Sequence, residues 1–362
     1  MKTHRFLVLD GMRGVAAFAV LILHVVQQRN AEALPFAFLA VDFFYILSGF
    51  VVAFAYEQRL RSGEMSLPAF AWVRITRLYP LVLISVLAGI LLAVMAAVIK
   101  GGITFGEIAV SGTLGLLLLP SYVFPLWRTA FPYNPGSWSL TFELFVNALY
   151  AVIAPFLTTP RLIMLIVASA VVLVWVAFMN QGIEVGPHQD NFHYGFGRVL
   201  FPFFAGVLLY RVRRPQRVAP KIAVGLLLAL AALLFLPKGD AVLISLLYVF
   251  LFLPAIVMAG AAVDVGPRLG QACRLLGEIS FPLYILQGPL LRVGDEVLKH
   301  LPSGMSVPGA VLFGCVEASI ITAVAYAALR LYDIPVQRWL KQKAKRRATF
   351  ARQEKPFQSQ AS

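Results

Sequence analysis

The stretch LDGMRGVAAFAVLILHVVQ, residues 9–27, decides the fold class. It is apolar over most of its length, and about 20 such residues suffice for a helix to cross a bilayer. It nevertheless carries Asp10, Arg13 and His24. Ionisable side chains are costly in lipid and normally face the interior of a bundle or a water-filled cavity. The stretch therefore predicts a membrane-spanning helix with a polar face turned toward a site inside a bundle.

Apolar stretches of this kind recur along the whole chain. Hydrophobic residues make up 60% of the 362 residues and charged residues only 13%, whereas a soluble domain carries about 25% charged residues. Residues 104–125 are interrupted by Glu107 and Pro120, so we expect a re-entrant or interfacial segment there. The sequence thus predicts an all-α, polytopic transmembrane helical bundle of about ten helices. The apolar stretches are 7–28, 35–56, 78–99, 104–125, 138–157, 161–179, 196–210, 221–237, 241–262, 276–293 and 308–330.

The charge distribution predicts the orientation of the bundle. The chain has 31 Lys and Arg against 17 Asp and Glu, an excess that in a membrane protein indicates cytoplasmic loops rather than nucleic-acid binding. Both termini are therefore expected in the cytoplasm, which requires an even number of spans. We expect one membrane domain over residues 1–340 and a basic, disordered tail over 341–362 that contacts anionic lipids. The basic loops are expected at 57–77, 211–221 and 263–275.

Arg13 and His24 share one face of the first helix. Eleven residues at 100° each return to within about 20° of the starting direction and span about 16 Å along the axis. With the N-terminus in the cytoplasm, Arg13 is expected near the inner end of the helix and His24 in its outer third. Arg13 could simply extend to the cytoplasmic interface, but a histidine cannot reach as far. His24 is therefore the stronger candidate for a functional role.

Two acidic residues are expected at about the depth of His24, in the outer parts of their helices. These are Asp42, which has a helix cap or a structural hydrogen bond as its alternative role, and Glu143. Nearby, Ser48 allows close helix packing, and Trp138 followed by Ser139 fits an interfacial anchor and a cap. If these side chains instead face one cavity with His24, they form a titratable site near the outer leaflet.

Arginines mark the opposite side of the membrane. Arg74 and Arg77 lie three residues apart at the expected cytoplasmic edge of the third helix. The positive-inside rule explains them without a function, but a guanidinium fork is also suited to phosphate oxygens. Near the C-terminus, Tyr284 fits polar packing between helices, and Gln287 can position a substrate but cannot move protons. The two cysteines are far apart in different contexts, and no metal site is predicted.

Five motifs in order connect these residues to a known family. They are LDGMRGVAAFAVLILH, VDFFYILSGF, WVRITRLYP, WSLTFELF and LGEISFPLYILQ, and they extend from residue 9 to about residue 330. In this set the chain resembles the acyltransferase-3 family of integral membrane O-acyltransferases, which includes O-antigen and exopolysaccharide O-acetylases. The resemblance implies a bacterial inner-membrane enzyme. Its donor would be a cytoplasmic acyl-CoA, acetyl-CoA by default, and its acceptor a hydroxyl of a carbohydrate or other envelope molecule.

The resemblance also implies residue roles. His24 matches the catalytic histidine, Glu143 the acidic residue of the tryptophan-serine motif, and Gln287 departs from a position that is often histidine. We expect His24 to act as general base, with Asp42 or Glu143 orienting its ring; direct transfer and an acyl-enzyme both remain open. The residues expected to bind the donor are Arg13, Arg74 and Arg77. Those expected to position substrate are Asp10, Ser48, Trp138 and Gln287.

A transporter or flippase is the main alternative for these intramembrane charges. Buried ionisable residues also line proton-coupled pathways, usually at the interface of internal repeats. The chain shows no visible internal repeat, which counts against transport. Homo-oligomer formation is left open by the sequence.

Overall fold

The computed structural model describes residues 6–29, 36–124, 128–213, 221–235, 241–300 and 307–344. Within these ranges the chain is helical apart from its loops, and the only extended pairing is a bridge between Thr129 and His188. The predicted all-α class is therefore confirmed. The helices are α1 (Leu7–Gln27), α2 (Ala40–Arg61), α3 (Leu67–Lys100), α4 (Phe105–Leu116), α5 (Ser137–Ile153), α6 (Thr159–Met179), α7 (Tyr194–Val212), α8 (Lys221–Phe235), α9 (Ala241–Leu247), α10 (Leu253–Ala261), α11 (Pro267–Lys299) and α12 (Val307–Ala328).

The helices have the lengths and composition of a polytopic membrane protein. In the part of the chain that the structure describes, 8 helical segments are long and apolar enough to cross a membrane. One of them joins α9 and α10 through the π-helical turn Tyr248–Phe252, and another continues α12 through Leu329–Asp333 as far as residue 344. The other long helix, α11, has 33 residues but is more polar, and α8 has 15. The predicted transmembrane bundle is thus confirmed.

Residues 104–125 hold the short helix α4 rather than a full span. Its 12 residues rise about 18 Å, too little for a bilayer core of about 30 Å. A capping box begins the helix: the Thr104 hydroxyl accepts from the Glu107 amide, and the Glu107 carboxylate accepts from the Thr104 amide at 2.8 Å. The hydrogen bonds from the backbone and the side chain of Thr104 lower the pKa of the Glu107 carboxyl. The segment agrees with the predicted re-entrant or interfacial element.

Two predicted basic loops are shorter than expected. The loop expected at 57–77 is reduced to Ser62–Ser66, because α2 runs to Arg61 and α3 begins at Leu67, capped by Ser66 with a proline in its first turn. The loop expected at 263–275 ends at Gly266, because α11 already begins at Pro267. Arg, Glu and Leu have high helix propensity, so they continue a helix beyond the apolar core. Of the predicted tail, 345–362 lies outside the described residues.

Small residues bring α1 against α11 and α2 against α7. A methyl group on Gly14 would stand 2.5 Å from the Leu276 side chain, and one on Gly277 would stand 2.6 Å from Asp10. Gly49 of α2 likewise lies against the backbone of α7, and Gly206 of α7 lies against the backbone of α2. Such small residues allow helices in membranes to approach closely. The contacts show that α1 and α11 run parallel, which places the charged face of α1 against the middle of α11.

Two prolines interrupt the hydrogen-bond ladder of α11. Pro289 has no N–H to donate to the Ile285 carbonyl four residues earlier. That carbonyl instead accepts from the Ser85 hydroxyl of α3 at 2.7 Å and from the Asn134 amide at 3.1 Å. The second proline, Pro282, lies one turn before this break. The helix is thus fixed to its neighbours at the point where its own ladder is broken.

Candidate active site

A half-open cavity of about 350 Å³ lies among α1, α2, α3, α5 and α11. Its volume falls within the range of small-molecule sites, and its lining combines apolar side chains with a few polar groups, as such sites do. Most of the predicted site residues line it. The lining includes Asp10, Arg13, Ser48, Arg74, Arg77 and Glu143. The predicted residues that lie outside its lining are His24, Asp42, Trp138 and Gln287.

Glu143 and Arg74 form the central ion pair of the cavity. An Arg74 Nη2 atom lies 2.6 Å from Glu143 Oε1, and the Ser48 hydroxyl donates to the same oxygen at 2.9 Å. The pair ties α2, α3 and α5 together at one level. The expectation that these two residues lie near opposite sides of the membrane is therefore wrong. The reason is that α3 begins at Leu67, so that Arg74 lies about two turns inside its helix.

Arg13 and Arg77 complete the positive charge of the cavity. Arg13 Nε donates to the Ser280 hydroxyl at 2.9 Å, a second nitrogen donates to the Gly277 carbonyl, and Asp10 lies 3.7 Å away. Arg77 is exposed, and no carboxylate among the described residues lies within 4.0 Å of it. Three guanidinium groups therefore share the cavity with two carboxylates. Among the described residues, the charge of Arg77 is offset only at longer range, by Asp333, so it is the least neutralised of the three.

A pair of hydroxyl groups lines the same cavity as Glu143. The Ser139 and Tyr284 hydroxyls lie 2.7 Å apart, and the Tyr45 hydroxyl donates to the Ser139 carbonyl at 3.2 Å. All three side chains line the cavity and are buried. Sequence reasoning assigned Ser139 and Tyr284 to capping and packing. The signal that could have marked them is helical spacing: Ser139 lies one turn before Glu143 on α5, and Tyr284 lies one turn after Ser280 on α11.

His24 lies further along the same stripe of α1 as Arg13, outside the cavity lining. Its Nδ1 atom is 3.2 Å from the Gln27 side-chain oxygen. Ala17 and Leu21 occupy the stripe between Arg13 and His24, and both are fully buried in an apolar cluster with Leu283. Packed side chains therefore occupy the part of the α1 stripe between Arg13 and His24.

The expected partners of His24 are engaged elsewhere. Glu143 binds Arg74, and Asp42 binds Arg198 with Oδ1–Nε and Oδ2–Nη2 distances of 3.0 and 2.6 Å. The expectation that one of them orients the His24 ring is thus not met, because each carboxylate has its own arginine. The amide of Gln27, one helical turn along α1, occupies that place instead.

Asp42 and Arg198 form a sealed pair between α2 and α7. The Arg198 guanidinium lies 5.5 Å from the Trp138 ring and 5.7 Å from the Phe38 ring, and it also donates to the Val185 carbonyl. Both charged groups are buried completely. Sequence reasoning missed Arg198, although a lone arginine inside an apolar stretch is a recognisable signal that a buried carboxylate must lie nearby.

The register of α1 on α11 sets the depth of the remaining residues. Arg13 bonds Ser280, and the Gln28 side chain donates to the Leu291 carbonyl at 2.8 Å. Because the helices run parallel, His24 lies at about the level of Gln287. The Gln287 amide is buried and donates to the Tyr284 carbonyl at 3.1 Å in its own helix.

The family model for an acyltransferase domain, acyltransferase 3, matches residues 6–329. The chain belongs to the acyltransferase-3 family. It is also 36% identical over 189 residues to Protein 2 in picA locus of Rhizobium radiobacter, an alignment that covers 48% of this chain and 95% of that protein. No solved structure matches the chain. The family match confirms the resemblance seen in the five motifs.

This member of the acyltransferase-3 family is therefore a membrane acyltransferase. An acyl transfer needs a place for the donor, a donor of hydrogen bonds to the acyl carbonyl and a base for the acceptor. The cavity offers arginines and hydroxyl groups within one space, and the imidazole of His24 lies on the same stripe of α1. The family thereby favours acyl transfer over the transporter or flippase alternative.

Proposed function

We propose that this acyltransferase moves an acyl group, acetyl by default, from acyl-CoA to a hydroxyl group of a carbohydrate or another cell-envelope acceptor. The single observation that supports this most directly is the cavity that collects Arg13, Arg74 and Arg77 beside two carboxylates. Guanidinium groups bind phosphate oxygens in two-point contacts, and CoA is a donor with several phosphates. A bacterial inner membrane with the termini and the donor in the cytoplasm fits the distribution of basic loops.

In this proposal the arginines have different tasks. Arg77 is exposed at the rim of the cavity and has the least neutralised charge, so it receives a phosphate group of the donor. Arg74 and Arg13 are already held by Glu143 and Ser280, and they shape the wall along which the acyl arm extends. The surrounding membrane lipids are the other partners. No nucleic acid is involved, and homo-oligomer formation remains open.

His24 is the proposed base. It takes the proton of the acceptor hydroxyl, the oxygen attacks the thioester carbon, and the C–S bond breaks as the C–O bond forms. The thiolate then takes the proton from the imidazolium. Because Ala17 and Leu21 lie between the cavity and His24, binding of both substrates must displace the Leu21 side chain. Transient acylation of His24 is the alternative sequence of steps.

The donor test uses purified protein in lipid nanodiscs with radiolabelled acetyl-CoA and, separately, acetyl-pantetheine, which lacks the nucleotide phosphates. Arg77→Gln should raise KM for acetyl-CoA about 10-fold or more, because a hydrogen bond to a charged group contributes about 1.5–3 kcal/mol. It should leave KM for acetyl-pantetheine unchanged. Arg161→Gln is the matched control, since Arg161 is an exposed arginine at the start of α6 outside the cavity.

Two results would contradict the donor assignment. If the wild-type protein consumes no acetyl group from either donor, acyl-CoA is not its substrate. If Arg77→Gln weakens both donors equally, the arginine does not contact the nucleotide phosphates.

The base test replaces His24. His24→Ala should lower acyl transfer to the acceptor by about 10²–10⁴-fold, the usual contribution of a general base, while the variant still elutes as folded protein in detergent. Transfer at the wild-type rate by this variant would remove His24 from the mechanism.

A further inference from the structure

The hydroxyl pair of Ser139 and Tyr284 has no role in the donor and base assignments above. It lines the cavity with an oxygen–oxygen distance of 2.7 Å, and both side chains are buried. We propose that the Tyr284 hydroxyl, supported by Ser139, donates the hydrogen bond that stabilises the carbonyl oxygen of the acyl thioester during transfer. This inference rests on the proposed function and adds a catalytic residue to it.

Ser139 and Tyr284 have two hydroxyl protons between them, and one of these can be donated to a ligand. The Ser139 hydroxyl can donate to the Gly136 carbonyl at 3.2 Å and then accept from Tyr284. Alternatively, Ser139 donates to the Tyr284 oxygen, and the Tyr284 proton is released to point into the cavity. The second arrangement needs only a hydroxyl rotation and gives up one long hydrogen bond. A ligand carbonyl that accepts from Tyr284 replaces that bond.

The depth of Tyr284 fits a group that acts between donor and base. Arg13 bonds Ser280, and Tyr284 is one turn further along α11, about 6 Å. His24 lies at about the level of Gln287, about 4.5 Å beyond Tyr284. Tyr284 thus branches from α11 between the level of Ser280 and the level of Gln287, and its hydroxyl meets Ser139 of α5. A carbonyl at this position becomes open to attack from the side of His24 once the Leu21 side chain is displaced.

The phenol is held in place before a ligand binds. Its ring packs edge-on against Phe44 with a centroid distance of 5.8 Å, and its hydroxyl is fixed by Ser139, whose carbonyl accepts from Tyr45. Preorganised donors of this kind stabilise developing negative charge without reorganisation during the reaction.

The proposed step conserves atoms and electrons. The acceptor oxygen adds to the carbonyl carbon, and the electron pair of the C=O bond moves onto the oxygen that Tyr284 binds. This pair then returns to carbon as the C–S bond breaks, and the thiolate leaves with the proton that His24 removed from the acceptor. Tyr284 keeps its own proton throughout, so it acts as a hydrogen-bond donor and not as an acid.

The test measures kcat and KM with acetyl-CoA for single variants in nanodiscs. Tyr284→Phe should lower kcat about 10²-fold, the effect of removing one oxyanion donor, with KM for acetyl-CoA within about 2-fold of wild type. Ser139→Ala should lower kcat less, because Ser139 only positions Tyr284, and Ser139→Thr should restore it. Tyr150→Phe is the matched control, since Tyr150 is equally buried on α5 but lies outside the cavity.

Every outcome bears on the inference. An unchanged kcat in folded Tyr284→Phe, or a rise in KM alone, would overturn it. If Tyr284→Phe does not fold, a kcat loss in Ser139→Ala that Ser139→Thr recovers supports the inference, and an unchanged kcat in Ser139→Ala overturns it. If the wild-type protein transfers no acetyl group from acetyl-CoA, the proposed function is wrong and so is the inference. If the wild-type protein is active, the variants test the inference alone.

Discussion

Two arginine–carboxylate pairs in this bundle have the same contact distance and different surroundings. Arg198–Asp42 and Arg74–Glu143 each have an N–O distance of 2.6 Å, but the side-chain exposures are 1% and 0% in the first pair and 8% and 19% in the second. The first pair is enclosed by rings and backbone carbonyls, whereas the second lines the cavity beside Ser48.

The comparison shows that an ion pair inside a membrane protein can have a purely structural role, as Arg198–Asp42 does, or can belong to a ligand site, as Arg74–Glu143 does. In the sealed pair, neither water nor a ligand can replace a lost partner, so the two groups need each other. In the cavity, water or a ligand has room to approach Arg74 if Glu143 changes. An intramembrane acid is therefore not by itself a sign of a catalytic site. What distinguishes the site is whether space for a ligand adjoins the pair.

Asp42→Asn should have the largest effect on stability. The substitution leaves the Arg198 charge buried without a counterion, which costs about 3–5 kcal/mol. We expect loss of folded protein, or a sharply lower midpoint, in thermal unfolding in detergent. Glu143→Gln is the matched change at the other pair and should retain the wild-type midpoint while lowering acyl transfer. Equal stability losses in the two variants would show that the two pairs do not differ in the way described.

Lysine replacements should have an intermediate effect and sharpen the same contrast. Arg198 binds both oxygens of Asp42 with a two-pronged contact, which an ammonium group cannot reproduce. Arg74 contacts a single oxygen of Glu143. Arg198→Lys should therefore destabilise the protein by about 1–2 kcal/mol, the net contribution of a hydrogen bond or somewhat more, and Arg74→Lys by less. The reverse order of unfolding midpoints would contradict the two-pronged role of Arg198.

The exposed carboxylate of Glu107 should show the smallest effect and serves as a baseline. Hydrogen bonds from Thr104 lower the pKa of this carboxyl, so the ionised form stabilises the start of α4. A lowered pKa gives stability that is present at neutral pH and is lost as the pH falls through the pKa of the folded protein. Glu107→Gln should thus shift the midpoint only slightly near pH 7, and the difference from wild type should vanish on acidification. A difference that grows in acid would contradict this sign.

Much of the fold follows from the sequence because the membrane restricts the choices. Long apolar stretches must be helices, and a broken stretch such as 104–125 cannot span the bilayer. The shared face of Arg13 and His24 follows from helix periodicity alone. The grouping of Arg13, Ser48, Arg74 and Glu143 at one cavity agrees with their expected roles as site residues.

The rest depends on contacts between helices, which periodicity does not determine. Arg198 is 156 positions from Asp42 along the chain, and only the packing of α2 on α7 through Gly49 brings them together. The pairing of Arg74 with Glu143 was missed because the start of α3 lies in charged sequence that is typical of a loop. The Leu21 cluster between Arg13 and His24 consists of ordinary apolar residues, which give no sign of where they pack.

The break at Pro289 in α11 has a mechanical consequence. The Ile285 carbonyl is held by Ser85 and Asn134, so the N-terminal and C-terminal parts of α11 are joined at this point through neighbouring segments. Such neutral hydrogen bonds contribute about 1 kcal/mol each, and a helix lacking ladder bonds bends there readily. The segment that carries Tyr284 is therefore the point at which α11 can bend, while Gln28 on the Leu291 carbonyl and Arg292 on the Pro132 carbonyl hold the part of the helix that follows.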